Sequence, residues 1–228
     1  MDLARIKNQR ASDEVYDSLR QAILTHVFQP GERLQIQDIA AKLGVSLTPV
    51  RQAIQRLATE GLIEIQPRSG TYVASLSVSD IEETFDIRCA LECLAAEKAV
   101  ERITDAELAR MRELLTALAK PAHEEHEIRQ HEAANYEFHA TLLRAAGNRR
   151  LMDMVDSLKA NIQMTRAHQV EGYRGDRFAQ EQAEHEAIYR ALEARDGATL
   201  QDALRRHILR AKDALMTGIR EKRNSASS

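Results

Sequence analysis

Cysteine, proline and long apolar runs are all scarce in this chain, and each shortage excludes something. Two cysteines, Cys89 and Cys93, in 228 residues give no disulfide framework; spaced four apart in a helical pattern, they fit two small buried side chains. No apolar run approaches the ~20 residues that cross a bilayer, and Met1-Asp2-Leu3-Ala4-Arg5-Ile6-Lys7 lacks the apolar core of a signal peptide. No membrane partner and a cytoplasmic location are therefore expected. An excess of basic charge is also missing, since the net charge is −3. Residues 1–75 hold nine Lys and Arg against eight Asp and Glu, and the remainder holds 23 against 27. Any binding to nucleic acid must then rest on where the cations stand. No internal repeat is visible.

What is present is a core-forming composition, 43% hydrophobic and 29% charged, with length enough for two modest domains. Three of the four prolines, Pro30, Pro49 and Pro67, fall in the first 67 residues, and beyond Val73 long helical patterns take over. The expected division is 1–75, 76–223 and a disordered tail, 224–228. In the first part, Ile36-Gln37-Asp38-Ile39-Ala40-Ala41-Lys42-Leu43 reads as a short helix with Ile36, Ile39, Ala40 and Leu43 on one face. Gly44 supplies a tight turn. A second helix follows, capped by Ser46 or Thr48, and either choice leaves Pro49 in the first turn, where its missing N–H costs nothing. Two short helices joined at a glycine make a helix-turn-helix. Ile63-Glu64-Ile65-Gln66, the turn Pro67-Arg68-Ser69-Gly70 and Thr71-Tyr72-Val73 then read as an antiparallel hairpin, the wing of a winged helix-turn-helix.

Here the chain resembles the GntR transcription regulators of bacteria. Pro30-Gly31-Glu32-Arg33-Leu34, Ile39-Ala40, Gly44-Val45-Ser46, Thr48-Pro49-Val50-Arg51, Ala53-Ile54-Gln55-Arg56-Leu57 and Glu60-Gly61-Leu62-Ile63 carry the resemblance. Arg5, Lys7 and Arg10 in a leading arm, Arg51 and Arg56 in the third helix and Arg68 in the wing are the phosphate and groove candidates. The resemblance adds Gln37, Ser46, Leu47, Thr48 and Gly70. It also implies two arginines where this chain has Gln37 and Leu47, so Arg51 is expected to carry more of the guanine reading and Gln37 to read an adenine.

Beyond Val73, Ser79-Asp80-Ile81-Glu82 and Thr104-Asp105-Ala106-Glu107 each fit a capping box, opening helices over about 80–102 and 105–119. Further helices are expected over about 124–146, 149–170, 177–194 and 198–221, punctuated by Pro121, Gly147, Gly172, Gly175 and Gly197. Six helices with apolar stripes and no strand signal predict a mainly α protein, its second domain an antiparallel helical bundle. That domain resembles the FCD domain of the FadR-like GntR branch, through Ile87-Arg88, Leu91-Glu92, Phe138-His139, Ala146-Gly147-Asn148, Glu184-His185 and Arg206-His207-Ile208.

Three histidines share faces with apolar residues: His139 with Leu142, Leu143 and Ala146; His185 with Ile188, Tyr189 and Leu192; His207 with Leu200, Leu204 and Ala211. They are either separate core residues or three imidazoles that converge, and three such nitrogens suit Zn²⁺ or Ni²⁺. Asn135, one turn before His139, can point at the same spot. The FCD resemblance implies a divalent metal held by an Asp and three His at these places. Asn135 stands where the Asp is usual, which predicts weaker binding. His123, His126 and His131, among Glu124, Glu125, Glu127 and Glu132, read as a solvated helix start. Arg88 and Glu92 are either a surface i, i+4 pair or, with Arg88 facing the bundle interior, a fork for a carboxylate. The resemblance implies the second, with a small organic acid as effector. Asn161, Thr165 and Arg166 are weaker candidates for the same cavity.

Together these readings predict a homodimeric regulator, a repressor in sign, that binds a near-palindromic operator and responds to an acid. Two other classes stay open: a regulator whose effector is the metal ion itself, and a His-centred metal-dependent hydrolase. No Asp or Glu is placed by motif as the general base that the hydrolase needs.

Overall fold

The computed structural model describes residues 9–25, 27–75, 77–122, 124–167 and 176–225. Among them lie nine helices and one two-stranded antiparallel sheet. They pack as two units, one reaching to Ile81 and including the end of the seventh helix from Lys159, the other holding Glu82–Leu158 and the last two helices.

The first unit opens with α1 (Gln9–Leu24), whose Val15, Leu19 and Ile23 recur every fourth residue and are buried. Placing Arg51 and Arg56 on a third helix implies this first one, for which no bounds were expected. Arg10, assigned to a leading arm, belongs to the first turn of α1, while Arg5 and Lys7 lie outside the described residues. The helix-turn-helix is formed by α2 (Ile36–Leu43) and α3 (Leu47–Thr59). Gly44 ends α2 at φ 65°, a left-handed conformation that glycine adopts without strain. Ser46 takes the cap position of α3 with extended backbone but makes no side-chain cap bond, and Pro49 sits in the first turn. Val50, Ala53, Ile54 and Leu57 bury the inner face of α3, with Met164 from the seventh helix in the same core.

The wing follows as β1 (Ile63–Gln66) and β2 (Gly70–Val73), antiparallel with Ile63 opposite Val73 and Gln66 opposite Gly70. A bridge from Arg33 to Tyr72 adds a third short segment. Gly70 is required by two things: its φ of 149°, and the Arg33 side chain, whose Nε would lie 2.9 Å from a Cβ at that position.

Six helices follow: α4 (Val78–Arg102), α5 (Asp105–Leu118), α6 (Glu125–Ala145), α7 (Arg149–Ala167), α8 (Asp176–Glu193) and α9 (Gly197–Ser225). The capping box at Thr104 and Glu107 forms as expected. At α4 the cap is two residues earlier than expected: Asp80 N–H donates to Ser77 Oγ at 3.1 Å and Ser77 N–H to Asp80 Oδ2 at 2.8 Å. Further ends are closed by arginines. Arg102 Nη1 donates to the Ala146 carbonyl at 3.0 Å where α6 stops, and Arg195 donates to Val100 and Ile103 carbonyls at 2.7 and 2.9 Å where α4 stops. Phe85, Phe138, Leu142, Leu143, Ile188, Leu192 and Leu200 are fully buried. Cys89 and Cys93 are free and buried, and burial with the neighbouring Cys89 pushes the Cys93 thiol up to about 11. Asn224 and Ser225, expected in a disordered tail, continue α9; 226–228 lie outside the described residues. No helix among the described residues is long and apolar enough to cross a membrane.

Candidate functional site

The start of α3 divides cleanly between its faces. Pro49, Val50, Ala53 and Ile54 turn into the core, and Ser46, Leu47, Thr48 and Arg51 are exposed on the opposite side. Gln37 is exposed in the first turn of α2, Arg68 is exposed at the wing tip with φ 65°, and Gly70 follows it. This is the surface a major groove would meet. Arg56 is engaged elsewhere. Its Nη1 donates to Asp13 Oδ1 at 2.6 Å, and its guanidinium lies 4.0 Å from the centre of the Tyr16 ring. Tyr16 in turn donates its hydroxyl to Glu60. This contact links α1 to α3, but both side chains of the ion pair are about half exposed, so it is weak and can yield.

In the second unit the three histidines converge. His139 on α6, His185 on α8 and His207 on α9 are buried, and their ligating nitrogens all lie within 4.8 Å of one another. Phe138 packs edge-on against two of the rings, 5.7 Å from His139 and 5.1 Å from His185. Carboxylates stand behind two of the imidazoles: His139 Nδ1 lies 2.7 Å from Glu92 Oε2 and His207 Nδ1 lies 3.0 Å from Glu184 Oε2. A carboxylate on Nδ1 fixes the ring so that Nε2 is the nitrogen able to ligate. Glu184 is itself gripped by Arg210. Asn135 is buried one turn before His139 on α6. Among the described residues no second metal-holding group forms. His126 is exposed, His131 sits 5.9 Å from the Phe178 ring, and His123 lies outside the described residues.

The Arg88 and Glu92 pair is internal. Arg88 Nε donates to Glu92 Oε1 at 2.6 Å, with the two side chains 4% and 1% exposed. One carboxylate thus joins Arg88 to His139. Burial alone would raise the Glu92 carboxyl, but the Arg88 and His139 charges and their hydrogen bonds hold it well below the usual carboxylate range. Arg88 Nη1 is buried and has no hydrogen-bond partner among the described residues. The weaker candidates do not join this cluster. Asn161 belongs to the first unit, its Oδ1 3.6 Å from where a Cβ on Gly61 would stand, and the side chains of Thr165 and Arg166 lie outside the described residues.

Glu184 in its supporting role, and Glu92 as the link to His139, escaped the sequence. Glu184 stands beside His185 in the chain but serves His207 on the next helix, a pairing that spacing along one helix cannot show.

Both parts of the chain match known families. Residues 11–73 match the bacterial regulatory proteins of the gntR family, and residues 83–210 match the FCD domain. The HTH-type transcriptional repressor RspR of Escherichia coli is 28% identical over 200 residues, covering 88% of this chain and 86% of the relative. The uncharacterized HTH-type transcriptional regulator YdhC of Bacillus subtilis is 28% identical over 197 residues, or 86% and 85% of the two chains. The structure of McbR/YncC from E. coli superposes with a TM-score of 0.76 over 91% of this chain and 97% of that one, at 24% identity, and shows the fold. These domains and relatives are those of transcription regulators and not of enzymes, which removes the hydrolase reading. The chain belongs to the gntR family of bacterial regulatory proteins and is a DNA-binding transcription regulator that carries an FCD domain.

Proposed function

We propose that this regulator is a homodimeric repressor of a near-palindromic operator, whose grip on DNA changes when a small organic acid binds beside a divalent ion in the helical unit. The observation that carries the reading is the polar cluster: three buried imidazoles within reach of one ion, joined through Glu92 to a buried Arg88 with a donor still to satisfy. The donor set fits Zn²⁺ or Ni²⁺, since imidazole nitrogens oriented by carboxylates suit both. His139, His185 and His207 would hold the ion, with the neutral amide oxygen of Asn135 a weaker fourth ligand than a carboxylate. When bound, the ion supplies positive charge for a carboxylate oxygen of the effector.

Arg88 has a particular part in this. Its charge is already balanced by Glu92, so an entering acid finds an N–H donor at Nη1 but little net attraction from the pair. A buried carboxylate without compensation is heavily penalised. The ion must therefore provide the missing charge, and acid binding should depend on metal. Repression as the sign draws support from the relative described as a repressor, and dimerisation from the two half-sites that a small, weakly charged reading surface needs.

The test is operator binding by fluorescence anisotropy on DNA selected from a random pool, with metal-free protein, Zn²⁺- or Ni²⁺-loaded protein, and loaded protein with mono-, di- and tricarboxylates. An acid response seen only in the loaded protein is expected. An acid response that survives metal removal overturns the dependence on the ion. A change in affinity with the ion alone, and none with acids, favours the second reading, a metal-sensing regulator, which the imidazole cluster by itself would support.

A further inference from the structure

Two of the buried imidazoles have a carboxylate from a neighbouring helix behind them, Glu92 for His139 and Glu184 for His207. A further buried acid, Glu181, lies close by: it is 7% exposed and stands one turn before His185 on α8. Its direction follows from its neighbours. Gln182 reaches α5, donating to the Leu115 carbonyl at 3.3 Å, and Glu184 reaches α9; the arc between them, which holds Glu181, His185 and Ile188, faces the interior of the helical unit. Its height follows from two ring contacts between α6 and α8. His131 lies 5.9 Å from Phe178, and His139 lies 5.6 Å from His185, so the two helices advance side by side in the same direction. Asn135 is midway between those contacts on α6, and Glu181 is near the middle on α8, within about 1.5 Å of the same level at the helical rise. Asn135 is buried too, at 5% exposure.

An aspartate at position 135 would set a second carboxylate opposite Glu181, and two buried carboxylates side by side resist ionising together. An asparagine offers an N–H donor instead. We infer that Glu181 supplies from α8 the negative charge that position 135 lacks: its carboxylate accepts from the Nδ2–H of Asn135 and so turns the amide oxygen, Oδ1, toward the three imidazoles. An ionised carboxylate only accepts, which is what fixes the amide's orientation. Glu181 is then a positioning residue and not a ligand, and it does not belong to the group of three imidazoles whose nitrogens lie within 4.8 Å of one another. Its charge would offset one of the two that a divalent ion brings into the core. The inference rests on the metal reading above and goes beyond it by naming the residue that replaces the missing carboxylate.

The test uses the full chain, stripped of metal and titrated with Zn²⁺ against a chromophoric chelator. Glu181→Gln keeps the shape and removes the charge, and it should weaken Zn²⁺ binding by about 10- to 100-fold, the usual loss when the partner behind a ligand is removed, with helical circular dichroism unchanged. Asn135→Asp combined with Glu181→Gln should regain at least the wild-type affinity, because the charge has only moved to the facing helix. A purely structural role for Glu181 would give no such rescue. Thermal unfolding of the metal-free proteins checks the pairing itself: Glu181→Gln should favour a higher Tm in the Asn135→Asp background, where it relieves two facing carboxylates, than beside the native Asn135. Equal effects in the two backgrounds, Zn²⁺ binding indifferent to Glu181→Gln, or a double variant as weak as Glu181→Gln alone would overturn the inference and leave the metal reading standing. A wild-type chain that takes up no Zn²⁺ overturns both.

Discussion

Arg88 cannot be removed in isolation. Glu92, its partner at 2.6 Å, is 1% exposed, and breaking a buried pair by deleting one member costs about 3 to 5 kcal/mol because the other charge stays buried. Arg88→Ala is expected to lower the free energy of unfolding measured in urea by that order, and a variant as stable as the wild type would remove Glu92 as its principal partner. Arg88→Lys keeps the charge and loses the planar fork, so it suits a test of the acid response better. On DNA, Arg51→Ala should lose specific binding at about 1 to 3 kcal/mol per base pairing lost, with fold intact, in a gel shift at fixed salt. Unchanged operator affinity would sink that assignment. Leu47 opens α3 and is 37% exposed, an apolar tip that matches a thymine methyl. Replacing operator thymines with uracil should weaken the wild type at one position per half-site and leave Leu47→Ala indifferent there.

Among the elements, the ends of the helices show where local pattern sufficed and where it was ambiguous. Thr104 and Glu107 offered one frame for a capping box, and the structure uses it. At α4 the expected frame was Ser79 with Glu82, and the structure uses Ser77 with Asp80 instead. Starting at Val78 places Ile81 a full turn inside α4, where it is buried at 2% exposure. Ser77→Ala is expected to cost about 0.5 to 2 kcal/mol in thermal unfolding, and a variant as stable as the wild type would contradict the frame. Helix α1 was implied without bounds; Val15, Leu19 and Ile23 mark its inner face, and Arg10, expected in an arm, lies in its first turn. The partners of Arg56, Asp13 and Tyr16, lie on that helix.

At the scale of the molecule, metal is the simplest lever. An ion held only by the folded state stabilises it, by about 2.7 kcal/mol at one hundred times its Kd. Zn²⁺ or Ni²⁺ should therefore raise the Tm of the wild type, a chelator should reverse the shift, and Asn135→Asp should enlarge it by supplying a charged ligand. The paired change His185→Ala with His207→Ala should abolish the shift along with any ion seen by elemental analysis. A wild-type Tm and metal content unmoved by either ion would leave the cluster with a packing role alone.

The sequence by itself determined the winged helix-turn-helix, the six later helices and the three histidines on apolar faces. Each of these is a local matter of period, cap or turn, decided within a few residues of the chain. Whether the imidazoles converge, and what stands behind them, was open until the helices were packed. Glu92 reaches from α4 to His139 on α6, and Glu184 reaches from α8 to His207 on α9, across separations of 47 and 23 residues that no helical period spans. The same packing drew Asn161 into the first unit. It also turned Arg88 and Glu92 from an i, i+4 pair of undecided exposure into a buried one, because the face a helix presents depends on its neighbours, and only the tertiary structure supplies those.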